Sequence, residues 1–208
     1  MCIRDRDDMQ KRNLDYCTQN YLERILRLKT VFTSSYTQMI MNQIQLTDKR
    51  MERAFLEEMV VLMQQILKGE YVNVRGEERL QVSGERYVKI NFASSGQQEV
   101  VWILNVLFYY LLNQKKAYFI IEEPESHLFP DAQKKIAQFI SAAKKGGNKV
   151  LVTTHSPYIL GEMNNLLYAN RISKSVDRAK LKKIIKENQW IEFEQFAAYY
   201  LEAGKASN

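Results

Sequence analysis

Two short apolar segments, AYFII at 117–121 and KVLVTT at 149–154, enclose one amphipathic stretch, DAQKKIAQFISAAKK, and this order constrains the fold more than any other feature of the chain. Neither segment alternates apolar with polar residues, so both read as strands buried on two faces. A strand, a helix closed by Gly146 and Gly147, and a second apolar strand form the crossover unit of a parallel sheet. Both strands run into polar residues at the same edge, EEPE after the first and THS after the second. In open α/β sheets the carboxyl edge is where ligands bind.

The flanking chain is organised differently. Residues 13–68 are helical in period, with Leu22, Ile25, Leu26 and then Met59, Leu62, Met63, Ile66 recurring at intervals of three and four; two helices are the simplest reading. Thr47 or Asp48 is the expected N-cap of the second, whose run begins near Met51. From 70 to 92 the period changes to two: EYVNV, ERLQV and RYVKINF are separated by RGE and SGE, which predicts a small antiparallel hairpin sheet. A polar loop, ASSGQQE, then opens the apolar helix VVWILNVLFYYLL. The expected organisation is a helical lobe at 7–69, hairpins at 70–92, an α/β core at 93–170 and a helical extension, cut short, at 171–208. The opening MCIRDR resembles a translated adapter read-through, so residues 1–6 are set outside the fold and the natural protein is expected to begin further upstream.

Composition excludes several classes. Hydrophobic residues make up 46% of 208, too many for a disordered chain. The longest apolar run, 100–112, is 13 residues and includes Asn105, short of the ~20 that span a bilayer; no membrane association is expected. Cys2 and Cys17, with His127 and His155, form no disulfide framework and no zinc spacing, which predicts a reducing, cytoplasmic setting. With 30 basic against 24 acidic residues the net charge is +6, which favours polyanionic partners without naming one.

Three segments carry chemistry. A buried strand ending in consecutive carboxylates, IIEEPE, is the Walker B layout: Glu122 would hold Mg²⁺ and Glu123 would orient a water attacking a γ-phosphate. Alone, the same residues also read as an acidic turn before a helix, where carboxylates suit the dipole. His155 follows the second apolar strand at the same edge, where an imidazole can hydrogen-bond a phosphate oxygen or the attacking water. His127 lacks that setting and reads as structural or as part of a dimer-facing loop. In ASSGQQE, Ser95 and Gln98 have the spacing of a capping box, leaving a helix N-terminus with free amides; Ser-Gly helix starts are common and the motif is weak by itself.

Together the three segments resemble the ATP-binding-cassette-type P-loop ATPases, in the RecF-like, SMC-like and OLD-like branch grouped as AAA15-type AAA ATPases. Ser94, Ser95, Gly96 and Gln97 resemble the LSGGQ signature, with Ala93 and Ser95 in place of its Leu and first Gly. IIEEPESHLFP resembles Walker B and the D-loop, with Glu122 for the commoner Asp, and TTHS resembles the switch-histidine strand. The resemblance covers about residues 70–170 and implies a partial P-loop NTPase fold of α/β class, with ATP and Mg²⁺ as cofactors. It also implies two heads, in a homodimer or a pair, sandwiching ATP. Ser94, Ser95, Gly96 and Gln97 would then bind the partner's nucleotide, Glu122 the metal, and Glu123 and His155 would be catalytic. Such heads work on DNA in repair or anti-phage defence, with DNA or a nuclease as further partners. No G-x-x-x-x-G-K-S/T occurs in the chain, so it is expected to be a fragment without Walker A, inactive alone. Two other readings stay open: a nuclease binding divalent metals through Glu122, Glu123, Glu125 and His127, and a degenerate, non-catalytic interaction module.

Overall fold

The computed structural model describes residues 16–47, 50–202 and 205–207. The chain divides into two compact units: residues up to 115 together with 126–128, and residues 116–125 together with 129 onward. Residues 1–6 and Asp48 lie outside the described residues.

The first unit begins with three helices where two were expected: α1 (Tyr16–Lys29), α2 (Tyr36–Thr47) and α3 (Arg50–Leu67). The extra break falls in TVFTSS, whose hydroxyl side chains compete for the backbone. Thr30 Oγ1 donates to the Arg27 carbonyl at 2.7 Å, and Ser35 Oγ accepts from the Gln38 amide at 3.2 Å, stopping one helix and starting the next. Thr47 is the last residue of α2 rather than a cap of α3.

Three antiparallel strands follow, β1 (Glu70–Val74), β2 (Glu77–Ser83) and β3 (Arg86–Lys89). Val74 pairs with Glu77, so the first turn holds two residues, Arg75 and Gly76, both at positive φ (52° and 87°). That is the turn whose twist matches the strands, and the Asn73 side chain accepts the Gly76 amide at 2.9 Å to close it. The third strand stops at Lys89, short of Phe92, because Ile90–Phe92 forms a 3-10 turn that buries Ile90. Helix α4 (Ser95–Leu112) comes next.

The core of this unit is aromatic. Phe32, Tyr36, Tyr71 and Phe108 are fully buried, and edge-to-face contacts link Phe32 to Tyr36 (6.0 Å), Phe32 to Tyr71 (6.1 Å), Tyr36 to Phe108 (5.3 Å) and Tyr71 to Trp102 (5.3 Å). Tyr36 donates its hydroxyl to buried Asn105 at 2.8 Å, and burial, with Glu70 adding to it, holds that phenol well above its ordinary value.

The second unit contains the expected parallel pair, β4 (Tyr118–Glu122) and β5 (Lys149–Thr153), in register from Tyr118 opposite Lys149 to Glu122 opposite Thr153. Helix α5 (Pro130–Ala143) joins them and ends through a 3-10 turn at Gly147, whose φ of 77° suits glycine. Asn148 ties the exit to the sheet by accepting the Ala117 amide (3.0 Å) and donating to the Ala143 carbonyl (3.0 Å).

The sheet is not buried on both faces as its apolar sequence predicts. Tyr118, Ile120 and Leu151 remain 61%, 62% and 46% exposed, while Phe119, Ile121, Val150 and Val152 take the more buried face. Side chains alternate across a strand, so helices on one side cover only half of them.

Helix α6 (Pro157–Ile172) packs along α5, and buried Glu162 accepts from Gln138 at 2.6 Å across that contact. After α6 the expected helical extension reduces to the seven-residue α7 (Arg178–Ile184), two 3-10 turns and a hairpin of β6 (Tyr200–Glu202) and β7 (Lys205–Ser207). Trp190, with Ala169 and Leu181, forms a small core that holds this segment. Among the described residues no helix is long and apolar enough to cross a membrane.

Candidate functional site

The sequence-derived site residues fall in two places, one in each unit. In the first unit, Ser94 is the N-cap of α4. Its hydroxyl accepts from the Gln97 amide at 3.3 Å, and the Gln97 side-chain oxygen accepts from the Ser94 amide at 3.0 Å. The capping box is therefore Ser94–Gln97, one residue earlier than the expected Ser95–Gln98 pair. The sequence offers the S-x-x-Q spacing in both frames. The chosen frame lets Gln97 Nε2 also donate to the Leu67 carbonyl at 2.6 Å, satisfying an orphan carbonyl at the end of α3. Gln98 donates instead to the Ala93 carbonyl at 2.8 Å.

This cap leaves the amides of Ser95 and Gly96 without an intramolecular acceptor among the described residues, with Ser94 and Ser95 exposed and Gly96 buried. Such amides at the positive end of a helix of 18 residues form an anion-accepting surface. Gly96 has a further reason to be glycine. A Cβ there would stand 2.4 Å from the His127 carbonyl oxygen, because Ser126–Leu128 packs in this unit against the start of α4. His127, at φ 57°, turns its Nδ1 to Glu99 Oε2 at 3.2 Å.

In the second unit the two strand ends meet as the sequence predicts. Glu122 is the last residue of β4 and its exposed carboxylate has no hydrogen-bond or ion-pair partner among the described residues. Glu123 follows in the left-handed region, φ 44°, with its amide donating to the Thr153 carbonyl at 2.9 Å. A non-glycine residue there costs about 1–2 kcal/mol, and the turn swings Glu123 toward the neighbouring strand. Its Oε1 lies 3.2 Å from Nε2 of His155, which is largely exposed. A carboxylate and an imidazole thus share the carboxyl edge of a parallel pair, open to a ligand.

One residue of this edge has a different place from the one the sequence suggested. Glu125, considered there as a metal ligand, is buried, and its Oε1 accepts from Thr154 Oγ1 (2.5 Å), the His155 amide (2.8 Å) and the Ser156 amide (3.1 Å). Ser156 in turn caps α6, accepting from the amides of Tyr158 and Ile159. The available signal was the pair of hydroxyl residues flanking His155, which needs an acceptor if buried. Among the described residues no three His, Cys, Asp or Glu side chains converge as a metal site.

Comparisons with known proteins bear on this arrangement. Two solved structures are similar to part of this chain: an SMC ATPase from work on ATP-driven dimerization and DNA-stimulated activation, at 15% identity and TM-score 0.40 over 54% of this chain and 75% of that one, and an SmcHead bound to the C-winged helix domain of ScpA, at 12% identity and TM-score 0.43 over 65% and 47%. No curated protein matches the chain. The family model described as AAA ATPase domain, AAA_15, matches residues 3–160, which takes in the start of α4, both strand ends and His155. Matched over most of its length, the chain belongs to the AAA_15 family of AAA ATPase domains.

Proposed function

We propose that this protein hydrolyses ATP between two paired heads, with the strand edge of the second unit acting on the head's own nucleotide and the start of α4 capping the partner's. The observation that carries this reading is the 3.2 Å approach of Glu123 to His155 at the ends of adjacent parallel strands. Glu123 accepts a hydrogen bond from the attacking water and holds its lone pair toward the γ-phosphorus, while His155 donates to a γ-phosphate oxygen as the bond to the bridging oxygen breaks. Glu122, exposed and unpaired beside them, is the residue that would hold Mg²⁺, which when bound neutralises charge on the β- and γ-phosphates.

Of the four signature-like residues, the amides of Ser95 and Gly96 would take a partner's phosphate directly, and Ser94, whose hydroxyl donates to Gln97 Oε1 at 3.0 Å, would turn that proton outward to join them. Gln97 has both ends of its side chain bonded within the fold and must release one to join them. The main phosphate holder, a G-x-x-x-x-G-K-S/T loop, is not among these 208 residues and is supplied from elsewhere, on the same polypeptide or another. Action on DNA in repair or defence belongs to the same proposal and has the support of the +6 charge.

The nuclease reading has less to stand on, since Glu125 faces inward and His127 pairs with Glu99, dividing the EEPESH cluster. Divalent-metal cleavage of DNA without ATP would favour it. The test of the ATPase reading uses the protein supplied with its Walker A loop. Glu123→Gln is expected to retain ATP, to lose turnover by about 100-fold or more, and to run as an ATP-dependent dimer on a sizing column. Ser94→Arg is expected to bind nucleotide but fail to dimerise. Turnover at the parental rate in Glu123→Gln defeats the assignment.

A further inference from the structure

Glu125 is 9% exposed, yet only one of its carboxylate oxygens is satisfied: Oε1 takes three donors and Oε2 is buried without a partner. Burying a carboxylate costs free energy, and here that cost is offset by the three donors that Oε1 accepts, which an apolar residue would leave unsatisfied. Packing alone therefore does not account for it. Its three donors belong to consecutive residues, Thr154, His155 and Ser156, with His155 in the middle. Thr154 Oγ1 also accepts from the Ser156 amide at 3.0 Å, which closes the loop leaving β5 on itself, and Ser156 Oγ donates to Gln133 of α5 at 2.5 Å. On its other side Glu125 is joined through buried Pro124 to Glu123. One carboxylate thus connects the segment bearing Glu123 to the segment bearing His155.

We propose that Glu125 is a positioning residue, setting the distance between Glu123 and His155 without itself touching substrate. The functional meaning of that distance rests on the ATPase reading; the mechanical part rests on the geometry alone. Charge-assisted bonds to backbone amides are short and directional, so a carboxylate fixes these three residues more tightly than a neutral acceptor would.

The test is made by NMR on the full 208-residue chain without nucleotide, so it stands or falls independently of the Glu123→Gln turnover experiment. Glu125→Ala is expected to speed hydrogen exchange at the His155 and Ser156 amides by about tenfold or more, leaving those of Val150–Val152 within about threefold of wild type. Glu125→Gln keeps an acceptor oxygen and is expected to restore most of the protection, with both amide protons moved upfield. Glu123→Gln is expected to shift the His155 ring resonances in the native chain and to lose that effect in a Glu125→Ala background. Should Glu125→Ala not fold, Thr154→Val removes one arm of the same joint and is expected to raise exchange at Ser156. Unchanged exchange at His155 and Ser156, exchange raised evenly along β5, or an undiminished Glu123→Gln shift overturns the proposal.

Discussion

The two units hold their candidate site residues in place by different means. In the first, the start of α4 sits on a helix whose buried residues enter an apolar core, with Phe108 packed edge-on to Tyr36, and the cap needs only Ser94, Gln97 and the Leu67 carbonyl. In the second, the edge bearing Glu123 and His155 lies on two strands with one open face, and its geometry depends on polar bonds to Glu125. Apolar packing is non-directional and tolerates small displacements, whereas a hydrogen bond weakens steeply with misalignment. Point substitutions should therefore unfold the first unit before they misalign its cap, and misalign the edge of the second before they unfold it.

The largest expected effect is in the aromatic core. Phe108→Ala should destabilise the chain by about 3–5 kcal/mol, since it empties a fully buried site. Ile120→Ala, on the open face of β4, should change stability by less than about 1 kcal/mol. Chemical denaturation of both variants checks the contrast, and equal losses would erase it.

Glycine substitutions sharpen the comparison next. Gly96→Ala drives a Cβ into the His127 carbonyl and should cost about 1–3 kcal/mol, because a backbone atom cannot move aside as a flexible side chain can. Gly161, inside α6 with nothing within 4 Å of a Cβ, should behave oppositely, Gly161→Ala stabilising by about 0.5–1 kcal/mol. Thermal melts of the two variants moving in the same direction would contradict this account.

The smallest effect lies on the hairpin sheet. A hydrogen bond from Lys89, with further help from Arg79, holds the Glu77 carboxyl below its ordinary value, and Glu77 holds the Lys89 amine above its own. A depressed acid contributes stability above the ordinary carboxylate range and loses it as pH falls through its folded value. A raised lysine contributes below the ordinary lysine range and loses it as pH rises through its folded value. Wild type and Glu77→Gln should thus differ most near neutral pH and converge at both extremes. The difference should fade in about 1 M salt, since exposed pairs are screened. A pH-independent difference in denaturation midpoint would argue against the pair.

The parallel pair was legible because unalternating apolar strands around one amphipathic helix admit few arrangements, and Glu123 and His155 came with it as residues at strand ends. The three-helix count was harder to read, because the hydroxyl-rich TVFTSS break interrupts a helical period that continues on both sides. The capping frame was ambiguous in principle, since Ser94–Gln97 and Ser95–Gln98 have the same spacing. Only the Leu67 carbonyl, brought near by the fold, separates them.

What the sequence by itself determined is local: the strand ends, the apolar helix after ASSGQQE, the turn at Arg75–Gly76, and which residues are candidates for the site. These follow from periodicity and backbone preference, which act over a few residues. Tertiary structure alone decided which side chains stay available. Glu122, Glu123 and Glu125 lie within four residues of one another, yet one is exposed and unpaired, one meets an imidazole, and one is buried against the amides of the loop leaving β5. Identical carboxylates differ in this way because burial and donors come from parts of the chain distant in sequence, and no local pattern records which of them will arrive.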